Sequence, residues 1–101
     1  MLVRHAKHVT PVLTKANADK KVLIGPKQGA PNFVMRIIDM PPGTSTYHTH
    51  DWEHEVYVLS GNGCLVSEDG ETPLSPDDAI YVAPLEKHGF ANRGEDIFRF
   101  I

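Results

Sequence analysis

The sequence predicts an all-β fold, a small barrel or jelly roll built from about eight short strands. Turn-forming proline, glycine and asparagine residues recur about every 8 to 12 positions, a spacing typical of β-sandwiches and barrels. The stretches between these turns are short, apolar, and rich in β-branched and aromatic residues. No stretch of about ten residues combines helical periodicity with helix-forming composition. Since such short strands would leave exposed edges in an open sheet, we expect the sheet to close or to double on itself.

The predicted strands occupy the apolar runs, and the turns indicate how consecutive strands are connected. In chain order the runs are Val22–Ile24, Phe33–Met40, Glu55–Leu59, Cys64–Ser67, Ala79–Ala83, Gly89–Ala91 and Ile97–Ile101. Asp69 and Gly70 follow the run that ends at Ser67 and form a hairpin signal, because both residue types tolerate the backbone angles of a tight turn. A second turn is predicted at Gly61, Asn62 and Gly63.

The chain length of 101 residues allows one domain, covering residues 1–101, and no second. Within residues 1–13, the segment Val3–Leu13 contains Pro11, which lacks an N–H group, so the segment suits an edge strand. Such a strand could pair with, or swap into, a second copy of the chain. A domain of this size buries little core for its surface, which adds to the expectation of a homodimer.

Composition argues against several classes of function. The formal net charge is −3 with an isoelectric point of about 6.0, and the positive charges are scattered singly, so we expect no nucleic-acid partner. No apolar run approaches the roughly 20 residues that span a bilayer, and the N-terminus lacks the apolar core of a signal peptide. We therefore expect a cytoplasmic protein without a membrane partner. The single cysteine, Cys64, excludes an internal disulfide framework and a cysteine-based zinc finger.

Four of the six histidines fall into one pattern. His48 and His50 are two positions apart, so both imidazoles lie on one face if the strand is extended. His54 follows at the start of the next predicted strand, and His88 comes from a distant strand. Neutral imidazole is a preferred ligand of Zn, Cu, Fe and Ni. The pattern predicts one divalent metal ion, held by three imidazoles from a strand-turn-strand unit and by a fourth from elsewhere in the barrel.

The histidine pattern has three alternative interpretations. The spacing of His50 and His54 matches two zinc ligands on a metalloprotease helix, but that motif requires Glu where this chain has Asp51. Surface histidines without a ligand role are common singly, whereas four in one pattern favour a shared site. A closed tetrahedral zinc site that only stabilises the fold stays open as an alternative.

The same residues resemble the two sequence motifs of the cupin superfamily. The first motif combines a glycine, a histidine pair, a further ligand and a later glycine, and the matching positions are Gly43, His48, His50, His54 and Gly61. The second combines a glycine, a proline, a histidine and an asparagine, and the corresponding positions are Asp78, Pro84, His88 and Asn92. Asp78 departs from the motif, since it replaces the glycine. The resemblance implies a double-stranded β-helix, that is, a jelly-roll barrel.

Most cupins have Glu as the fourth metal ligand, whereas His54 stands at that position here. Glu55 has the opposite strand parity, so we assign His54 as the ligand and place Glu55 outside. The chain resembles small single-domain cupins with a four-histidine site. That resemblance implies one divalent transition metal per chain (Mn, Fe, Cu, Ni or Zn, with Mn or Fe favoured) and an oxidoreductase of the dioxygenase type that acts on a small organic substrate.

Two alternatives to that function stay open. One is a metal-dependent isomerase, epimerase or lyase acting on a sugar or keto acid, which would need a positioned acid or base. The other is a barrel that binds a metal or small molecule without turnover. No catalytic residue is predicted beyond the metal ligands.

Four further residues are candidates for lining or supporting the pocket. Phe90 and Asn92 share strand parity with His88, so Phe90 could line the pocket and Asn92 could support the ligands; core packing and turn formation explain them equally well. Arg36 could anchor a substrate carboxylate if it faces inward, although a surface ion pair is the simpler expectation. Trp52 flanks the ligands and could shape the mouth, though packing or a subunit contact explains it equally.

Overall fold

Nine β-strands build the fold, and each apolar run predicted to be a strand overlaps one of them. The computed structural model describes all 101 residues. The strands are β1 (Val12–Leu13), β2 (Asp19–Ile24), β3 (Met35–Met40), β4 (His54–Ser60), β5 (Gly63–Ser67), β6 (Gly70–Leu74), β7 (Ala79–Val82), β8 (Gly89–Ala91) and β9 (Phe98–Phe100). Helical structure is limited to 3-10 turns at Ala6–His8 and Pro26–Gln28. No helix is long and apolar enough to cross a membrane.

The strands form two antiparallel sheets around one apolar core. Six strands make the larger sheet, in the order β1-β2-β3-β9-β4-β7, and β6-β5-β8 make the smaller one. Phe98, Met40 and Val58 of the larger sheet are at most 1% exposed. Leu74 and Phe90 of the smaller sheet join them in the same buried cluster. The predicted all-β fold of the jelly-roll type is confirmed, and the hairpin predicted at Asp69 and Gly70 connects β5 to β6.

The segment Gly43–His50 runs antiparallel to β8 without forming a continuous strand, which differs from the extended strand assumed for the histidine pair. The backbones of His48 and His88 hydrogen bond with each other in both directions, at 2.8 and 3.0 Å. A Cβ atom at Gly89 would overlap the carbonyl oxygen of Thr46, so only glycine permits the two backbones to approach this closely. This approach brings together two histidines that lie far apart in the sequence.

The N-terminal segment departs most from prediction. Of the expected edge strand, only Val12–Leu13 pairs with β2, whereas Ala6–His8 forms a 3-10 turn. The His5 ring accepts a hydrogen bond from the backbone N–H of Lys7 at 3.1 Å, so local capping favours a turn over an extended strand here. β1 nevertheless lies at the edge of the larger sheet, as expected for the end of this segment.

Candidate metal centre

The four histidines meet at one end of the barrel, where His88 is buried, His50 and His54 are half-buried, and His48 is exposed. His54 begins β4, His50 lies in the loop before it, and the backbone pairing described above holds His48 beside His88. The ligand-type ring nitrogens of all four lie within 4.8 Å of one another. Two ligands on opposite sides of an ion stand about 4 Å apart when each metal–nitrogen distance is about 2 Å. A small inward adjustment would therefore bring all four imidazoles into bonding range of one ion.

Backbone carbonyls orient two of these rings. Nδ1 of His50 hydrogen bonds to the carbonyl of Trp52, and Nδ1 of His88 to that of Glu86, each at 2.8 Å. Because a carbonyl only accepts, each Nδ1 carries a hydrogen, and in the neutral form of the ring Nε2 then keeps a free lone pair. Both Nε2 atoms are buried without a hydrogen-bond partner. Such an atom costs about 1–3 kcal/mol, and a metal ion would satisfy both at once. The residues present therefore fit a divalent metal ion.

Burial and nearby positive charge disfavour the protonated form of the other two imidazoles. Burial, followed by the positive charge of Arg36, lowers the pKa of His54 from 6.5 to about 4. Burial is also the main cause that lowers the pKa of His48, with neighbouring His88 and His50 adding to it. A neutral imidazole retains the lone pair that a metal requires.

Trp52 supports His50 in two ways. Its indole stacks on the imidazole with ring centroids 4.2 Å apart and planes inclined by 4°, while its carbonyl oxygen accepts the Nδ1 hydrogen bond. The indole itself is 58% exposed, so it covers the outer side of the cluster. The sequence placed Trp52 beside the ligands, but no sequence signal indicated that it would stack on one of them.

Arg36 faces inward rather than forming a surface ion pair. Its Nη2 lies 3.4 Å from Nε2 of His54, and no carboxylate pairs with it. Arg36 shares strand parity with Ile38, which packs against the core, whereas Asp39 has the opposite parity and pairs with Arg99 at 2.7 Å. Burial lowers the pKa of Arg36, although a guanidinium keeps its charge in proteins.

The other two pocket candidates occupy different surroundings. Phe90 is 6% exposed and packs on Phe100 with centroids 4.8 Å apart, so it belongs to the core while its ring lies 6.5 Å from one imidazole of the cluster. Asn92 is fully buried, and its Nδ2 donates to the carbonyls of Met40 and Asp96 at 2.8 and 2.7 Å. The Asn92 amide therefore stabilises the backbone around the turn and does not hydrogen bond with the imidazoles.

No carboxylate hydrogen bonds with any of the four imidazoles. Glu55 is exposed, on the outer face of β4 as its parity predicts. The half-buried acids are engaged elsewhere, Asp39 with Arg99 and Asp78 with the backbone N–H of Ser75 at 2.9 Å. All remaining acidic side chains are exposed. The centre consequently combines four imidazoles with one guanidinium and contains no carboxylate.

The fold and the cluster together define a class of small jelly-roll barrels that carry a candidate metal centre at one end of the interior. Residues 36–101 match the family model of the Cupin domain, a range that includes Arg36 and all four histidines of the cluster. The chain belongs to the cupin family. The resemblance inferred from the two motifs is thus confirmed.

Several solved structures share this fold. The polyketide cyclase RemF from Streptomyces resistomycificus is 32% identical, with a TM-score of 0.92 over 99% of this chain and 75% of that chain. A cupin 2 domain-containing protein from Halorhodospira halophila is 32% identical, with a TM-score of 0.77 over 86% and 63% of the two chains. A protein from Thermotoga maritima described as a predicted oxalate decarboxylase is 22% identical, with a TM-score of 0.86 over 98% and 94%. No curated protein sequence matches the chain.

Proposed function

We propose that this chain is a metal-dependent enzyme that holds one divalent transition metal at His48, His50, His54 and His88 and oxidises a small organic substrate with dioxygen. The observation that carries the proposal is the pair of buried, unpartnered Nε2 atoms within the four-imidazole cluster. When bound, a divalent ion supplies Lewis-acid polarisation and, if six-coordinate, positions for substrate and dioxygen beyond the four imidazoles.

The surroundings favour chemistry supplied by the ion over proton transfer by a side chain. An isomerase or epimerase needs a positioned acid or base. Beside the cluster, Arg36 stays protonated and Phe90 is apolar, while the acids are exposed or engaged elsewhere. Mn and Fe are favoured because both change oxidation state readily, whereas zinc does not.

Metal analysis of the protein purified without a histidine tag tests the first part of the proposal. We expect about one transition-metal ion per chain, because four imidazoles should retain it through purification. His8→Ala, which removes a histidine outside the cluster, should keep the metal, and His54→Glu should show whether the ion changes with the ligand set. Less than about half an equivalent in the wild type would contradict the site.

An oxygen electrode tests the second part. We expect oxygen uptake with at least one member of a panel of diketones, phenols and alkenyl compounds, dependent on added Mn or Fe and absent in His50→Ala. The control here is His5→Ala, which removes a histidine outside the cluster and outside the neighbouring groove and should consume oxygen at the wild-type rate. Failure to take up oxygen with any metal and any substrate would exclude the oxidation while leaving the metal site in place.

A non-oxidative cyclisation is a second candidate, favoured by the 32% identity to a polyketide cyclase over nearly the whole chain. A cyclisation that forms one carbon–carbon bond and releases water consumes no oxygen. Incubation of a polyketone substrate under nitrogen and in air, followed by mass spectrometry of the products, separates the two reactions. A product lighter than the substrate by one water under nitrogen supports cyclisation. A product that gains oxygen atoms in air, and only in air, supports oxidation.

We also propose that the chain forms a homodimer through its N-terminal region. β1 is the outer strand of the larger sheet, and an unpaired strand edge is a template for pairing with a second chain. Its neighbourhood carries the exposed apolar residues Leu2, Val3, Val12 and Leu13. Light scattering after gel filtration should give twice the chain mass of 11.2 kDa. Val12→Lys should shift the species towards monomer, and a wild-type monomer at micromolar concentration would contradict the proposal.

A further inference from the structure

A half-buried cation without an anionic partner stands beside the candidate metal centre. The guanidinium of Arg36 lies 3.4 Å from Nε2 of His54 and forms no ion pair. The other arginines all bind oxygen acceptors: Arg4 the carbonyl of Leu23, Arg93 the carboxylate of Glu71, and Arg99 that of Asp39. Arg36 therefore differs from them in lacking any oxygen acceptor.

A second cation lies on the same face of the sheet. Lys20 is in register with Ile38, and Val22 is in register with Arg36, so Lys20 and Arg36 are diagonal neighbours on adjacent strands. Residues directly opposite in a sheet share a face, and Ile38 packs against the core. Lys20 also forms no ion pair. One groove runs past both cations and three histidines of the cluster, and its lining also includes the exposed carboxylates of Asp51, Glu53 and Glu55. On the core-facing side of the sheet, Lys20 and Arg36 contribute positive charge to this groove without an ion-pair partner.

Binding of a divalent metal ion at the four histidines would add further positive charge beside Arg36. A divalent ion held by four neutral imidazoles keeps its full double charge, and the Arg36 guanidinium stands next to one of those imidazoles. The two positive groups would repel each other in a groove that partly excludes water. An anion lying between them would relieve the repulsion. The half-buried carboxylates, Asp39 and Asp78, are already engaged, and the exposed carboxylates that also line the groove form no ion pair with Arg36. A substrate anion would therefore fill this place.

We propose that Arg36 binds a carboxylate of the substrate, so that the substrate class is a small oxo-carboxylate whose neighbouring carbonyl or enolate oxygen faces the metal centre. This inference rests on the proposed metal-dependent function. A planar guanidinium matches the two oxygens of a carboxylate. A phosphate site is usually completed by a helix N-terminus or a nest of backbone N–H groups, and the only helical turns have three residues each and lie outside the cluster.

The test uses the chain's only tryptophan, because Trp52 stacks on His50 and its fluorescence reports on the cluster. Zinc-loaded protein, which cannot turn over by redox chemistry, is titrated with acetoacetate and with its methyl ester. Both compounds carry the same ketone, but only the acid has a negatively charged carboxylate. We expect the acid to bind at least tenfold more tightly than the ester.

The Arg36 variants assign that preference to the guanidinium. Arg36→Gln should bind acid and ester alike, Arg36→Lys should retain part of the preference, and Arg93→Gln, the same substitution at an exposed arginine outside the groove, should behave as wild type. Circular dichroism and zinc stoichiometry check that each variant is folded and loaded. Undiminished preference in a folded Arg36→Gln variant would overturn the role of Arg36.

Two wild-type results would overturn the inference without any variant. Equal binding of acid and ester would exclude carboxylate recognition, and tighter binding of inorganic phosphate than of acetoacetate would exclude the carboxylate class. Oxygen uptake without an acid preference would refute this inference alone. An acid preference without oxygen uptake on any substrate would instead refute the oxidation and leave the carboxylate site standing.

Discussion

The two ends of strand β4 place different chemistry on the same face. At its start, His54 joins an imidazole cluster that contains buried nitrogens without partners. Further along the same face, Val56 and Val58 are 8% and 0% exposed and pack into the phenylalanine-rich core. One end of the barrel interior is therefore saturated by apolar contacts, whereas the other keeps polar groups available for a ligand.

This contrast indicates that stability and metal binding are separable in the molecule. Apolar burial stabilises the folded chain by about 25 cal/mol per Å², so the core end contributes most of the stability. An unpartnered buried polar atom costs about 1–3 kcal/mol, so the cluster end opposes folding until a ligand satisfies it. Changes at the core end should lower stability, and changes at the cluster end should lower metal affinity.

The largest expected effect is at the core end. Phe98 is fully buried and its ring lies 5.0 Å from that of Phe100, so Phe98→Ala should lower the free energy of unfolding by about 3–5 kcal/mol. Urea denaturation measures this loss. Phe98→Leu, which removes less volume, should lose less and keep the wild-type zinc affinity. A large loss of zinc affinity in folded Phe98→Leu would show that stability and metal binding are not separable.

The complementary change is at the cluster. His88→Leu should reduce zinc affinity by more than about 100-fold, because losing a ligand should exceed the typical effect of losing a supporting group. The metal-free variant should lose little stability, because removal of the unpartnered Nε2 offsets the loss of the Nδ1 hydrogen bond to the Glu86 carbonyl. Calorimetric titration with zinc and urea denaturation give the two numbers. Strong destabilisation without loss of zinc affinity would show that His88 serves only the fold.

A smaller effect is expected from the group that supports a ligand from outside. Trp52→Leu removes the stacking on His50 but not the backbone carbonyl that orients it, so zinc affinity should fall by about 10-fold, the low end for such supporting groups. Phe33→Leu, at an aromatic residue that is 70% exposed, is the control and should bind zinc normally. Unchanged zinc affinity in Trp52→Leu would show that the indole does not support His50 as a ligand.

The smallest effect concerns pH in the metal-free protein. The folded chain holds the pKa of His54 at about 4, below its ordinary value of 6.5. Between these values the unfolded chain binds a proton that the folded chain does not, so stability is present above about pH 6.5 and declines as the pH falls towards about 4. Partial exposure keeps the slope shallow. The urea midpoint of His54→Gln should fall less with pH than that of the wild type, and an identical dependence would contradict this assignment.

The histidine cluster was predictable because short-range spacing in the sequence indicates it. Three of the four histidines lie within seven consecutive residues, 48–54, and the match to both motifs identified His88 as their partner. Strand positions were also predictable, because apolar runs between turns are local features. In the N-terminal segment the strand is limited to Val12–Leu13, because local capping at His5 favours a turn at Ala6–His8, a preference that composition does not reveal.

The sequence of β3 alone did not indicate whether the Arg36 side chain points towards the core. In β3 both parities are apolar, with Met35 and Ile37 on one and Ile38 and Met40 on the other, so alternation indicates no inner face. Only the pairing with neighbouring strands shows which side meets the core. The same limitation applied to Asn92, whose amide is engaged by carbonyls from distant parts of the chain.

By itself the sequence determined the all-β class, the family, and the four histidines that share a site, because these depend on local pattern and spacing. The tertiary structure decided which nitrogens stay unpartnered, that Trp52 stacks on His50, and that Arg36 turns inward without a counter-ion. These features arise where segments remote in sequence approach one another. Burial and electrostatic surroundings depend on every neighbour in space, and only the folded chain brings those neighbours together.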